Sequence, residues 1–234
     1  MTNYERLLAA TEDTYRREIL ENPVFERVLS GAMTRQNYIA YLRETYHLVK
    51  HTSKALAMVG ARLPHERRAL RGWFFHQSVD EHNHDLFCVD DLKALGEDPE
   101  QVLCGRMGKG AWGLVCHIYF LAAFDNPAAL LGVASATEGL GADVGAQFEV
   151  IIREKYGYPM EATTFLRSHG ISDQKHVADA IKAINELVVS DAELEDLIFA
   201  RRMTLKYYGE MLRETVTEGV ESNESSSEEL KIAS

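Results

Sequence analysis

The chain has 234 residues, 46% of them apolar and 26% charged, which is ordinary globular usage and enough material for one sizeable core. Its net charge of -11, with no Lys/Arg-rich run, argues against a nucleic-acid partner. No stretch of about 18 uncharged apolar residues occurs, which argues against a membrane span. Three cysteines, Cys88, Cys104 and Cys116, form no close pair and read as core thiols in a reducing compartment. The expectation is a soluble, cytoplasmic protein with one helical domain over residues 1–216 and an acidic, disordered tail over 217–234.

Apolar residues recur every three or four positions, and neither alternating β-branched runs nor Asn-Gly turns appear, so the fold class is all-α. Breaks are expected at Asn22-Pro23, Gly31, Leu63-Pro64, Gly96, Cys104 to Gly110, Asn126-Pro127, Gly157 with Pro159, Gly170 and near Ser190. Seven or eight helices result.

The helix from Thr34 to Leu63 offers Glu44, His47 and His51 on one side. Its clearest apolar stripe, through Leu42, Tyr46, Val49, Leu56 and Leu63, lies roughly opposite Glu44. Glu44 is a candidate ligand if this helix is buried on two sides, and a solvated polar face otherwise. His47 and His51 are candidate supporting groups.

On the helix after Pro64, the residues Leu70, Phe74, Cys88, Leu92 and Leu95 fall within about 40° of Glu81 on a 3.6-residue period. Glu81 therefore interrupts a core-facing stripe, with His84 on the same side and Asp80 pointing elsewhere. A buried carboxylate needs a partner, because desolvating it alone costs several kcal/mol. Glu-x-x-His is the spacing with which one helix presents an oxygen and a nitrogen to one metal; it also suits a core Glu–His pair.

After Pro127, Glu138 has Ala134, Ser135, Gly141, Ala142 and Gly145 at three, four and seven positions from it. Helical glycine costs up to about 1 kcal/mol against alanine, so Gly139, Gly141 and Gly145 ask for a reason. Close approach of a metal and substrate is one; tight helix packing is the other. The most specific spacing is His169-x-x-x-Asp173-x-x-His176, with Gly170 as a break and Ser172 as the next N-cap. Two imidazoles and a carboxylate suit iron, manganese or zinc, and paired cysteine ligands of a structural zinc site are missing.

Together, Glu44, Glu81-x-x-His84, Glu138 and His169-x-x-x-Asp173-x-x-His176 resemble the haem-oxygenase-like diiron oxidases and oxygenases, the superfamily that also holds TenA and PqqC proteins. The resemblance covers roughly residues 5–215. It implies a seven-to-eight-helix bundle in which Glu44, Glu81, His84, Glu138, His169, Asp173 and His176 bind two irons. Glu81 or Glu138 would be the bridge and the groups closest to the chemistry. It further implies O2 as cosubstrate, a small organic substrate such as a fatty or amino acid and an external electron donor; a homodimer is the expected default for such a helical bundle. Tyr119, Phe120, Phe124 and Trp112 are candidate pocket residues, and Arg167 or Lys175 a candidate carboxylate anchor. Two alternatives stand beside this: a metal-free TenA-like thiaminase or hydrolase with Cys88 as nucleophile, and a PqqC-like cofactor-free oxidase. Haem degradation would call for a proximal His in the first helix, and residues 2–20 contain none.

Overall fold

Several helix starts carry their own chemical signal. Thr2 and Thr34 accept hydrogen bonds from the backbone N–H three residues on, and Asn22, Asp98 and Asn126 cap helical turns that begin with Pro23, Pro99 and Pro127. Gly31 and Gly157 close the helices before them at φ of 87° and 70°, a conformation that costs glycine little. In the computed structural model these signals delimit α1 (Asn3–Tyr15), α2 (Pro23–Ser30), α3 (Arg35–Val49), α4 (Thr52–Arg62), α5 (Arg68–Asp80) and α6 (Asp85–Ala94). The chain continues through α7 (Pro99–Val102), α8 (Lys109–Ala123), α9 (Leu130–Leu140), α10 (Ala146–Tyr156), α11 (Thr164–Leu187) and α12 (Asp191–Ile232). The structure describes residues 1–232, with side chains at 1–170 and 175–217; the side chains of Asp173 and of the acidic tail beyond Thr217 lie outside the described residues. No strand occurs among the described residues.

The all-α expectation holds, with more breaks than the punctuation predicts. The Thr34–Leu63 stretch divides at Lys50-His51, and the stretch after Pro64 divides at Glu81–His84, where Asn83 takes a φ of 69°. Gly170, in contrast, breaks nothing: α11 runs through it. A Cβ there would lie 2.8 Å from Ala146 Cβ and 3.0 Å from its Cα, so this glycine serves the close approach of α10 to α11. Two π-helical turns, Arg16–Leu20 and Gly141–Gly145, extend α1 and α9.

Helix α12 is the pole of the bundle, packed against α1, α3, α8 and α9. Contact is close because Gly110 and Gly132 lack side chains: a Cβ would fall 2.1 Å from Met211 N and 2.2 Å from the Leu197 carbonyl oxygen. One large apolar core gathers residues of nearly every helix, among them Leu7, Leu42, Phe74, Leu114, Leu131 and Ile184. Of the three thiols, only Cys88 belongs to it; Cys104 and Cys116 are exposed, which corrects the reading of all three as core residues.

Candidate metal centre

Helix α5 ends at Asp80, and the four-residue turn to α6 begins with Glu81 and ends with His84. The expected pair forms across this turn, not along a helix: His84 Nδ1 lies 3.1 Å from Glu81 Oε2. Glu138 comes from the last turn of α9, just before the π-helical turn Gly141–Gly145. His169 and His176 stand seven residues, two helical turns, apart on α11, whose first turn is anchored by Asp91 of α6 accepting from the Thr164 and Phe165 N–H groups at 2.7 and 3.0 Å.

These five side chains converge. His176 Nδ1 lies 3.4 Å from Glu138 Oε2 and 3.6 Å from Glu81 Oε1, and the His84 and His169 rings meet edge-on at 5.0 Å between centroids. Two groups of three result, Glu81–His84–His169 and Glu81–Glu138–His176, each with one potential ligand atom per residue and all such atoms within 4.8 Å of one another. Glu81 belongs to both.

The electrostatics fit a cation site. Burial alone would raise the Glu81 carboxyl, but the hydrogen bond with His84 and the nearby His84, His169 and His176 rings hold it below its ordinary value. The His169 imidazole is pushed down by burial and is therefore the neutral base at neutral pH. Its Nδ1 lies 2.9 Å from the Phe165 carbonyl oxygen, which can only accept, so the proton sits on Nδ1 and the Nε2 lone pair is left for a metal. His176 is raised, first by its hydrogen bond to Glu138 and against its burial.

Glu44 is not part of this group. Its Oε2 accepts from the Gly108 N–H at 2.7 Å, at the start of α8, and its Oε1 pairs with Arg43 at 2.9 Å. The cavity-facing residues of α3 are instead Asn37, Tyr38, Tyr41, Thr45, Leu48 and Val49. His47 lies against Lys50 and His51 against Tyr119, so neither supports the centre. Asp80, which a continuous helical wheel turns away, reaches 3.8 Å from His176 Nε2 and 3.1 Å from His76 Nδ1, because α5 stops there. An Asp-Glu pair directly before a polar turn was its only signal.

Glu81, Glu138 and His169 line a largely apolar cavity of about 160 Å³, far above the ~10–15 Å³ that admits one water. Phe25, Val28, Trp73, Ile118, Val133 and Phe148 are among its walls. Ala134, Gly141 and Gly145, from the small-residue face around Glu138, also line it, so the missing bulk is cavity. None of the candidate pocket aromatics lines it: Trp112, Phe120 and Phe124 are exposed and Tyr119 is half-buried. Arg167 and Lys175 are not among the lining residues either, and no lysine or arginine is among those described.

The fold recurs in solved structures. A domain of unknown function with a haem-oxygenase-like fold from Shewanella denitrificans superposes with a TM-score of 0.83 at 22% identity, covering 92% of both chains. A TenA homologue from Pseudomonas syringae pv. tomato gives 0.78 at 16% identity over 91% of this chain and 92% of its own. Haem oxygenase-1 of the cyanobacterium Synechocystis, solved with haem, gives 0.73 at 14% identity over all of both chains. At these identities the likeness is one of fold. The molecule is thus an all-helical protein with the haem-oxygenase-like fold and a cluster of carboxylates and imidazoles, of which Glu81, Glu138 and His169 line a largely apolar cavity. Residues 39–209 match the family model described as iron-containing redox enzyme, and the chain belongs to that family. None of the curated proteins matches it.

Proposed function

We propose that this chain is a non-haem diiron oxidase or oxygenase that uses O2 to oxidise or cleave a small, largely apolar organic molecule. The observation that carries the reading is the pair of triads sharing Glu81, whose members Glu81, Glu138 and His169 line a largely apolar cavity. Glu81, His84 and His169 would hold one iron and Glu81, Glu138 and His176 the other, with Glu81 as the bridge and Asp173 a further ligand. Bound ferrous ions would supply electrons and open coordination positions to dioxygen, and an external donor would restore them.

The chain's own groups then have defined tasks. Glu81 stays ionised and offsets cationic charge at both positions. The Phe165 carbonyl fixes the His169 tautomer and its ring direction. Apolar walls keep bulk water from the centre and bind a hydrocarbon body. With no lysine or arginine among the described lining residues, a substrate carboxylate has no side-chain counter-ion there and must meet the centre itself. A fatty acid suits this lining better than a zwitterionic amino acid.

The thiol-nucleophile reading gains nothing from Cys88: it is fully buried, absent from the cavity wall, and burial pushes its thiol well above the ordinary value. The test is metal analysis, then anaerobic loading with Fe(II) and exposure to O2 with and without fatty acids. About two irons per chain and substrate-dependent O2 uptake are expected. Full solubility and helicity with no iron uptake would reject the diiron reading and favour the cofactor-free one.

A further inference from the structure

Trp73, Gln77 and Glu81 follow one another at four-residue steps along one side of α5 and into the turn that ends it, about 6 Å apart along the axis, and all three line the cavity. Gln77 is 3% exposed, a depth at which a carboxamide normally has partners, yet its side chain hydrogen-bonds to none of the described residues. Trp73 Nε1 is buried and likewise has no hydrogen-bond partner among them. Other polar side chains of the same wall are engaged: Asn37, Tyr38, Thr137 and Thr215 each donate to a main-chain carbonyl.

From this we infer that Gln77 and Trp73 form a recognition point for an uncharged, hydrogen-bonding group of the substrate, and that the substrate is a hydroxylated acyl chain rather than a plain one. The inference rests on the proposed function: with its carboxylate at the centre that holds Glu81, the chain runs along α5 and passes Gln77 after one helical turn and Trp73 after two. The donor and acceptor inventory selects a hydroxyl. The Gln77 carboxamide both donates and accepts, whereas the Trp73 indole N–H only donates, and a hydroxyl can accept from the indole while donating to the Gln77 oxygen. A second charged group is disfavoured, because no lysine or arginine is among the described lining residues and the carboxylates there, Glu81 and Glu138, belong to the centre. A ligand that displaces water without reproducing its hydrogen bonds loses affinity; a methylene at this point leaves amide and indole unpaired, and a hydroxyl pairs both. Holding the hydroxyl also sets how far the chain enters, and so which carbon stands at the centre. Gln77 and Trp73 are thus positioning residues.

Calorimetric titration of the full-length, Fe(II)-loaded protein under anaerobic conditions, with decanoic acid and with its mid-chain monohydroxy derivatives, tests this. At least one hydroxylated chain should bind about tenfold to a hundredfold more tightly than decanoic acid. Gln77→Leu should erase most of that preference and bind the plain chain more tightly than the wild type does, with iron content unchanged. Trp73→Phe keeps an aromatic ring but loses the N–H; it should reduce the preference, and it keeps the test open should Gln77→Leu misfold. The same chains are compared on the iron-free protein by thermal shift, which separates this inference from the diiron reading. No iron uptake with the hydroxyl preference intact would reject the diiron centre and leave the recognition point standing; two irons bound with no preference would do the reverse. Equal binding of plain and hydroxylated chains, no binding of the hydroxylated ones, or a preference that survives both substitutions overturns the inference.

Discussion

Glu81→Gln is the substitution in which the shared-carboxylate geometry has the most to lose. The side chain keeps its shape and remains in both triads but forfeits its charge. Unit charges about 4 Å apart interact by roughly 4 kcal/mol at an effective dielectric of about 20, and at 6% exposure Glu81 is screened little by solvent. That figure corresponds to about a thousandfold in affinity, and it applies at both iron positions because the carboxylate is common to them. Anaerobic Fe(II) titration against a chelator, with iron counted per chain, reads the loss directly. A second readout needs no metal: the Glu81 charge helps to raise both His169 and His176, so in the iron-free variant both imidazoles should titrate at lower pH, as followed by NMR. Two irons bound at wild-type affinity, or imidazoles that do not move, would refute the assignment of Glu81 as the bridge.

Gly170→Ala places a Cβ 2.8 Å from Ala146 Cβ, so α10 and α11 must part; a thermal melt should show a loss of about 1–3 kcal/mol, and iron affinity should fall because His169 is the adjacent residue. Cys88→Ala should leave iron content and O2 uptake unchanged while costing roughly 1–2 kcal/mol of stability; loss of turnover with iron retained would revive the thiol chemistry. His47 is pushed down to about 4 by burial and by Lys50, Arg43 and His51. The unfolded chain takes up this proton below about 6.5 and the folded one only near 4, so the wild type loses roughly 3 kcal/mol as pH falls through that window. Denaturation of His47→Gln at pH 7 and 4.5 should show a correspondingly smaller loss, and an equal one would contradict the burial argument.

The legible part of the molecule was the part set by local rules. Proline and capping residues marked most helix starts, and Leu70, Phe74, Cys88 and Leu92 are buried as their spacing around Glu81 demands. The small residues around Glu138 announced a cavity that periodicity alone could not locate. What failed was set by tertiary contact. Gly170 looked like a break because nothing in the chain reveals that Ala146 lies against it. The turn at Glu81–His84 has no proline or glycine to signal it; it rests on Asn83, one of the few non-glycine residues that tolerate positive φ. Glu44 was placed by resemblance against its own periodicity, and the structure departs from both readings: the side chain is buried rather than solvated, but away from the cluster, where its carboxylate tethers the start of α8.

Three departures lie close together. Asn83 sits inside the turn that presents Glu81 and His84, Gly170 follows His169, and the π-helical turn Gly141–Gly145 follows Glu138. Each departs from what the sequence locally prefers, and each lies within a few residues of a group in the cluster. A folded chain tolerates such departures, and the burial of two carboxylates among three imidazoles, where other interactions over-determine the geometry and function requires it. The π-helical turns carry the same implication: Ile19 of one and Gly141, Val144 and Gly145 of the other line the cavity. The distribution of these departures thus points to the same place as the chemistry of the side chains, and it does so without reference to any relative.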